Sequence, residues 1–147
     1  MTDPIPNADL PRPDAGSFRW PLRIYWEDTD AGGVVFYANY LKFFERARTE
    51  WLRELGFSQE AMRREDEAMF VVTDTAVRYR QPARLDDRIE VTVRVAETGR
   101  ASLALDQQAW RGDTLLAEGR IRIGCVDATL LRPRRMPPSL LSALGLS

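Results

Sequence analysis

One long amphipathic helix set among alternating strands is the pattern that most limits how this chain folds. Between about residues 37 and 55, Tyr40, Leu41, Phe44, Ala47, Trp51, Leu52 and Leu55 recur at steps of three and four, giving one wide apolar face. Gly56 follows, where a helix commonly ends in a left-handed residue. Ahead of the helix, Phe18, Trp20, Leu22, Ile24 and Trp26 alternate with other residues. That period of two predicts a strand, with Pro21 on an edge or at a bulge. After a short polar helix at about 58–67, capped by Ser58, the chain reads as strand after strand. Residues 70–80 put Val71, Thr73, Thr75, Val77 and Tyr79 on one side, and 88–98 align Ile89, Val91, Val93 and Val95. A meander over 101–110 and 114–126 turns at Gly99 and at Arg111-Gly112-Asp113. The order predicts an α+β fold in which an antiparallel sheet wraps one central helix.

The chain's 147 residues suit one domain with one core. Residues 1–17, with Pro4, Pro6, Pro11 and Pro13, read as a disordered Pro-rich N-terminal tail. The folded domain is expected over 18–140, and 141–147 form a short C-terminal tail. Lys plus Arg total 21 against 22 Asp plus Glu, so overall charge argues for neither a nucleic-acid nor a membrane partner. Any anion site must come from local clustering. Cys125 is the sole cysteine, which rules out an intrachain disulfide and a Cys-rich metal site; it is expected in the core. No run approaches the roughly 18 apolar residues of a membrane span, and the Met-Thr-Asp-Pro-Ile-Pro start lacks a signal peptide's pattern, so a cytoplasmic protein is expected. The absence of histidine removes many rival chemistries at once.

Functional interest concentrates just before the long helix, in Tyr25-Trp26-Glu27-Asp28-Thr29-Asp30-Ala31-Gly32-Gly33. An acidic cluster and a Gly-Gly turn there meet the positive end of a helix. Asp30 read alone is a cap or an Asx-turn residue. Read with the helix, it is a carboxylate placed to work on a carbonyl compound. Glu27 and Asp28 compete for that role and are expected to be structural. Tyr40 falls on the apolar stripe and is expected in the core, and Glu45, beside Arg46 and Arg48, is expected in a helix-surface or interface ion pair.

Residues 23–40 and the helix through Gly56 resemble the signature of the hotdog-fold acyl-CoA thioesterases, in the 4-hydroxybenzoyl-CoA thioesterase-like and Tol–Pal-associated branches. Cys125-Val126-Asp127 and Arg132-Pro133-Arg134-Arg135 add to the likeness, which covers about residues 18–140. The resemblance implies a five-stranded antiparallel sheet around one helix, assembly into homodimers or homotetramers, and active sites at subunit interfaces. It also implies acyl-CoA substrates with no separate cofactor, since CoA is part of the substrate, and no metal.

By this likeness Asp30, in Thr-Asp-x-x-Gly, is the catalytic carboxylate, acting as nucleophile or as general base on water. Backbone N–H groups near Tyr37 at the helix start would polarise the thioester carbonyl. Gly32, Gly33, Tyr37 and Asn39 are implied as substrate-binding, and Arg132, Arg134 and Arg135 as binding the CoA phosphates. Arg78, Arg80 and Arg88 are further basic candidates. Tyr37 departs from the Tol–Pal-associated branch, where a histidine usually stands, and fits the aromatic pair of the other branch. Hydroxyacyl dehydratases of the same fold need a histidine that this chain lacks. A non-enzymatic acyl-CoA-binding module is the alternative, and Asp30 is the residue that separates the two.

Overall fold

Alternation in the sequence becomes a single antiparallel sheet in the computed structural model, which describes residues 17–145. The Pro-rich tail expected over 1–17 lies outside the described residues except for Ser17, as do residues 146 and 147. Six strands form the sheet: β1 (Arg19–Arg23), β2 (Ala68–Tyr79), β3 (Arg88–Thr92), β4 (Arg94–Thr98), β5 (Ser102–Arg111) and β6 (Thr114–Asp127). Their spatial order is β1-β3-β5-β6-β2, with β4 beside β5. The long helix α1 (Asn39–Glu54) packs on β1 and β3, and α2 (Gln59–Asp66) packs on β2. Phe43, Phe44 and Ala47 of α1 join Ile89, Val91, Leu103, Leu105, Ile121 and Ile123 of the sheet in one core. Each large apolar side chain buried there contributes about 1.5–3 kcal/mol.

Residues 88–98, expected as one strand, are interrupted at Val93 although their pairing with β5 does not slip there; it slips only later, between Val95 and Glu97. Val91 faces Ala109 and Arg94 faces Asp106 in the same frame. Side chains break the ladder between them. The Thr92 hydroxyl accepts the Gln108 N–H at 3.0 Å, and the Gln107 side-chain amide donates to the Thr92 carbonyl at 3.4 Å. The expected five strands thus become six segments on one sheet. Ile89, Val91 and Val93 are buried as the alternation requires, and Val95 packs partly against them.

Strand β2 departs from the expected facing. Phe70 and Val77 both pack on the core, and their odd separation is possible only because a bulge falls between Val72 and Asp74. Val71 therefore does not share a face with Val77. Helix α1 also differs in detail: Phe43 is fully buried while Leu41 is exposed, and Arg48 turns inward. The helix ends as expected in a Schellman motif, with Gly56 left-handed, its N–H on the Arg53 carbonyl and the Phe57 N–H on that of Leu52. The Ser58 hydroxyl caps α2 by accepting the Ala61 N–H at 3.0 Å. Near the C-terminus a third helix, α3 (Pro138–Ala143), buries Leu140 and leans Leu141 and Leu144 on the core. The folded unit thus runs through the 140/141 division. No helix of the described residues is long and apolar enough to cross a membrane.

Candidate active site

The strand period stops at Arg23, not at Trp26. Fully buried Ile24 is tied by its backbone to Asp87 and Asp86, and the chain then tightens into a single 3₁₀ turn, Trp26–Asp28. Asp28 drives that turn, because its Oδ2 accepts the Tyr25 N–H at 2.8 Å. Trp26 is left 79% exposed on the outside of it. Asp28 is itself buried, which fits the structural role expected for it.

Asp30 opens a short hairpin closed by the bridge between Thr29 and Val35. The Asp30 N–H donates to the Val34 carbonyl at 2.9 Å, and the Gly33 N–H to the Asp30 carbonyl at 3.0 Å. The Asp30 side chain makes an Asx-type turn: Oδ1 accepts the Gly32 N–H at 2.8 Å. A Cβ on residue 32 would stand 3.2 Å from that oxygen, so glycine is what lets the carboxylate lie this close to the backbone. Gly33 has φ +79°, which only glycine adopts without strain. Oδ2 of Asp30 has no partner among the described residues, and the side chain is exposed. One oxygen is anchored and the other is presented. Asp30 does not cap α1.

The chain then turns into α1 around one oxygen atom. The Asp28 carbonyl accepts both the Phe36 N–H at 3.1 Å and the Asn39 side-chain amide at 2.8 Å. The N–H groups of residues 39, 40 and 41 fold back onto the carbonyls of 36, 37 and 38. The N–H groups of Tyr37 and Ala38 donate to no group of the described residues. These two donors sit at the positive end of the helix dipole. The Asn39 amide, expected to touch substrate, donates one hydrogen bond within this loop.

Beside the helix start lies a cleft of about 200 Å³, lined by Val35, Tyr37, Tyr40, Tyr79, Gln81 and Pro82 among others. The Tyr79 ring meets Tyr37 edge-on at 6.0 Å and Tyr40 at 5.6 Å. Tyr40 is core, as expected: its hydroxyl accepts the Ala83 N–H at 3.1 Å, and burial pushes its phenol above the ordinary value. Tyr37 is 63% exposed and forms a wall of the cleft. Of segment 79–83 only Arg80, which also lines the cleft, was an expected candidate. No local pattern brings the segment there; it arrives because Val35 donates to the Ala83 carbonyl and Val34 bridges to Arg84.

The expected phosphate-binding arginines differ in their contacts. Arg134 is a clamp: its Nη1 donates to the carbonyls of Asp66 and Glu67, capping the end of α2. Arg132 and Arg135 are exposed. This basic segment neighbours the start of β2, whereas the cleft lies at its end. Among the further candidates, Arg80 pairs with fully buried Glu118 at 3.3 Å, and Arg88 is exposed.

The family model of the thioesterase-like superfamily matches residues 24–144. The acyl-CoA thioester hydrolase YbgC of Escherichia coli O6:H1 is 46% identical over 126 residues, covering 85% of this chain and 93% of that protein. The acyl-CoA thioesterase YbgC of Haemophilus influenzae is 41% identical over 126 residues, covering 86% and 93%. Among solved structures, a "Probable Thioesterase" from Bartonella henselae superposes with a TM-score of 0.80 at 30% identity, covering 83% of this chain and all of that one (100%).

Proposed function

The chain belongs to the thioesterase-like superfamily, and from that premise we propose that it hydrolyses acyl-CoA thioesters to a free acid and CoA. The observation that most supports a reaction centre at the helix start is the posture of Asp30. One carboxylate oxygen is fixed by the Gly32 N–H and the other has no partner among the described residues, on a hairpin that leads to the Tyr37 and Ala38 N–H groups, also unpaired among them. In this reading the thioester carbonyl oxygen rests on the Tyr37 N–H, where the negative charge of the tetrahedral intermediate is stabilised. Losing one such donor typically costs about 3–4 kcal/mol in the barrier.

Asp30 supplies the oxygen by one of two balanced routes. As a general base it takes a proton from water while the water oxygen bonds to the acyl carbon; the C–S bond then breaks and the thiolate of CoA leaves with a proton. As a nucleophile its own oxygen bonds to the acyl carbon and expels the thiolate, and water hydrolyses the resulting anhydride. Neither route needs an imidazole, a metal or a cofactor beyond the CoA of the substrate. The acyl group takes the cleft walled by Tyr37 and Tyr79.

A second copy of the chain completes the assembly in this reading, as a homodimer or a dimer of dimers. The outer edge of β2 pairs with no strand of the described residues, and an open edge of that length favours association. β2 has 12 residues, so its two ends lie roughly 40 Å apart at about 3.3 Å per residue. Arg132 and Arg135 therefore serve the cleft of a partner paired antiparallel along β2 rather than their own, gripping CoA phosphates. The expected compartment is the cytoplasm.

The test is release of CoA thiol from butyryl-CoA and benzoyl-CoA by the purified protein. Turnover of either supports the reading. Tight binding of both without any hydrolysis would make the chain an acyl-CoA-binding module instead.

A further inference from the structure

Two backbone donors and one carboxylate must keep a fixed spacing if they are to act on one carbonyl group, since misplacement by about 1 Å can cost a hundredfold in rate. The loop that carries them holds that spacing through a single residue. Three hydrogen bonds converge on Asp28: Tyr25 N–H to Oδ2 at 2.8 Å, Phe36 N–H to the carbonyl oxygen at 3.1 Å, and Asn39 Nδ2 to that same oxygen at 2.8 Å. Asp30 lies two residues after this anchor. The unpaired donors of Tyr37 and Ala38 lie between residues 36 and 39, both of which grip it. The carbonyl of Asp28 is thus the common origin from which both halves of the centre are measured.

We infer that Asn39 is a positioning residue, whose side-chain amide on the Asp28 carbonyl sets the Asp30 carboxylate against the Tyr37 and Ala38 N–H groups. The inference rests on the thioesterase reading above and assigns Asn39 no contact with substrate. The Phe36 N–H alone ties only the entry to the turn. Asn39 adds a tie from the first residue of α1, so the rigid helix and the flexible hairpin become one body. An ionised carboxylate at position 39 has the same shape and no donor, and it would face the Asp28 carbonyl oxygen with like polarity. The same carboxylate at the first position of a helix favours the helix dipole. Stability and positioning are therefore separable at this residue.

The experiment compares the full-length wild type with Asn39→Asp, Asn39→Ala and Asp30→Asn, measuring kcat and KM on one CoA thioester together with the urea midpoint. The inference predicts that Asn39→Asp keeps or raises the midpoint while kcat falls roughly tenfold to a hundredfold and KM stays within about twofold. Asn39→Ala should show the same split of kcat from KM. Amide exchange at Phe36 should quicken in both Asn39 variants, with or without substrate. A raised KM with unchanged kcat would make Asn39 a substrate contact and overturn the inference. So would normal kcat in both Asn39 variants beside an inactive Asp30→Asn, which leaves the thioesterase reading standing. An inactive wild type, or full turnover in Asp30→Asn, defeats the reading itself.

Discussion

Arg48 of α1 and Gln107 of β5 meet at 2.9 Å between helix and sheet, where the guanidinium donates to the side-chain carbonyl of Gln107. The same side chain donates through its amide to the Phe44 carbonyl at 2.9 Å, so one buried residue holds α1 at two successive turns. Both residues are buried, and desolvation holds the Arg48 guanidinium below its usual range, with Glu45 opposing. Gln107→Leu should therefore destabilise the fold by about 1.5–3 kcal/mol, the range for hydrogen bonds to charged groups. Arg48→Met combined with Gln107→Leu should recover most of that loss, because no buried charge is then left without a partner. Urea titration of the wild type and the two variants measures both effects.

The basic segment near the C-terminus should divide by function. Arg134→Ala removes the clamp on the last carbonyls of α2 and should lower the melting temperature, leaving the KM for CoA esters nearly unchanged in the protein that remains folded. Replacing Arg132 and Arg135 together should do the reverse. KM for a CoA ester rises and loses salt dependence, kcat is largely kept, and a pantetheine thioester without the nucleotide barely responds. Equal losses on both substrates would assign the pair to folding or to a subunit contact.

Cys125 lies in the core with its thiol 3.8 Å from the Arg135 carbonyl, and burial pushes the thiol above its ordinary 9.0. A raised value in the folded state favours the protonated form there. Its stabilisation is complete below that ordinary value and is lost as pH rises through the raised one. Tyr40 adds a loss of the same sign above 10.0, again because it is buried. The urea midpoint should hold flat through neutrality and fall on the alkaline side, and Cys125→Ala should remove the earlier part of that fall. Alkylation of the thiol at neutral pH should await unfolding, whereas rapid labelling of the native protein would contradict its burial.

What the sequence disclosed was whatever a local period can carry. Helix α1, the strands and the Ser58 cap follow from repeats of three to four or of two, and each falls within a few residues of its expected place. Facing on β2 was misread because a bulge inserts one residue without any composition signal. The gap at Val93 arises from the Thr92 hydroxyl and the Gln107 amide intercepting ladder bonds, a contact between residues distant in sequence. At the site, Asp30, the Gly-Gly turn and the helix start were legible as one motif. The hydrogen bond from Asn39 to the Asp28 carbonyl was not legible, because that partner is a backbone atom that no side-chain pattern announces. Tyr79, Gln81 and Pro82 reach the cleft only through contacts distant in sequence, such as those of Val34 and Val35 with Arg84 and Ala83. The clamp of Arg134 on the end of α2 was not legible, because the two come close only in the folded chain.

Turnover of a CoA thioester by Asp30→Asn, measured beside the wild type at equal fold stability, tests the central claim most directly. The substitution keeps an oxygen that accepts the Gly32 N–H, so the hairpin and its Asx turn survive while the charge and the proton acceptor are lost. The account predicts that kcat falls at least about a hundredfold with the melting temperature little changed. A variant that folds normally and turns over at near the wild-type rate would show that Asp30 only shapes the loop and that the reaction is carried out elsewhere.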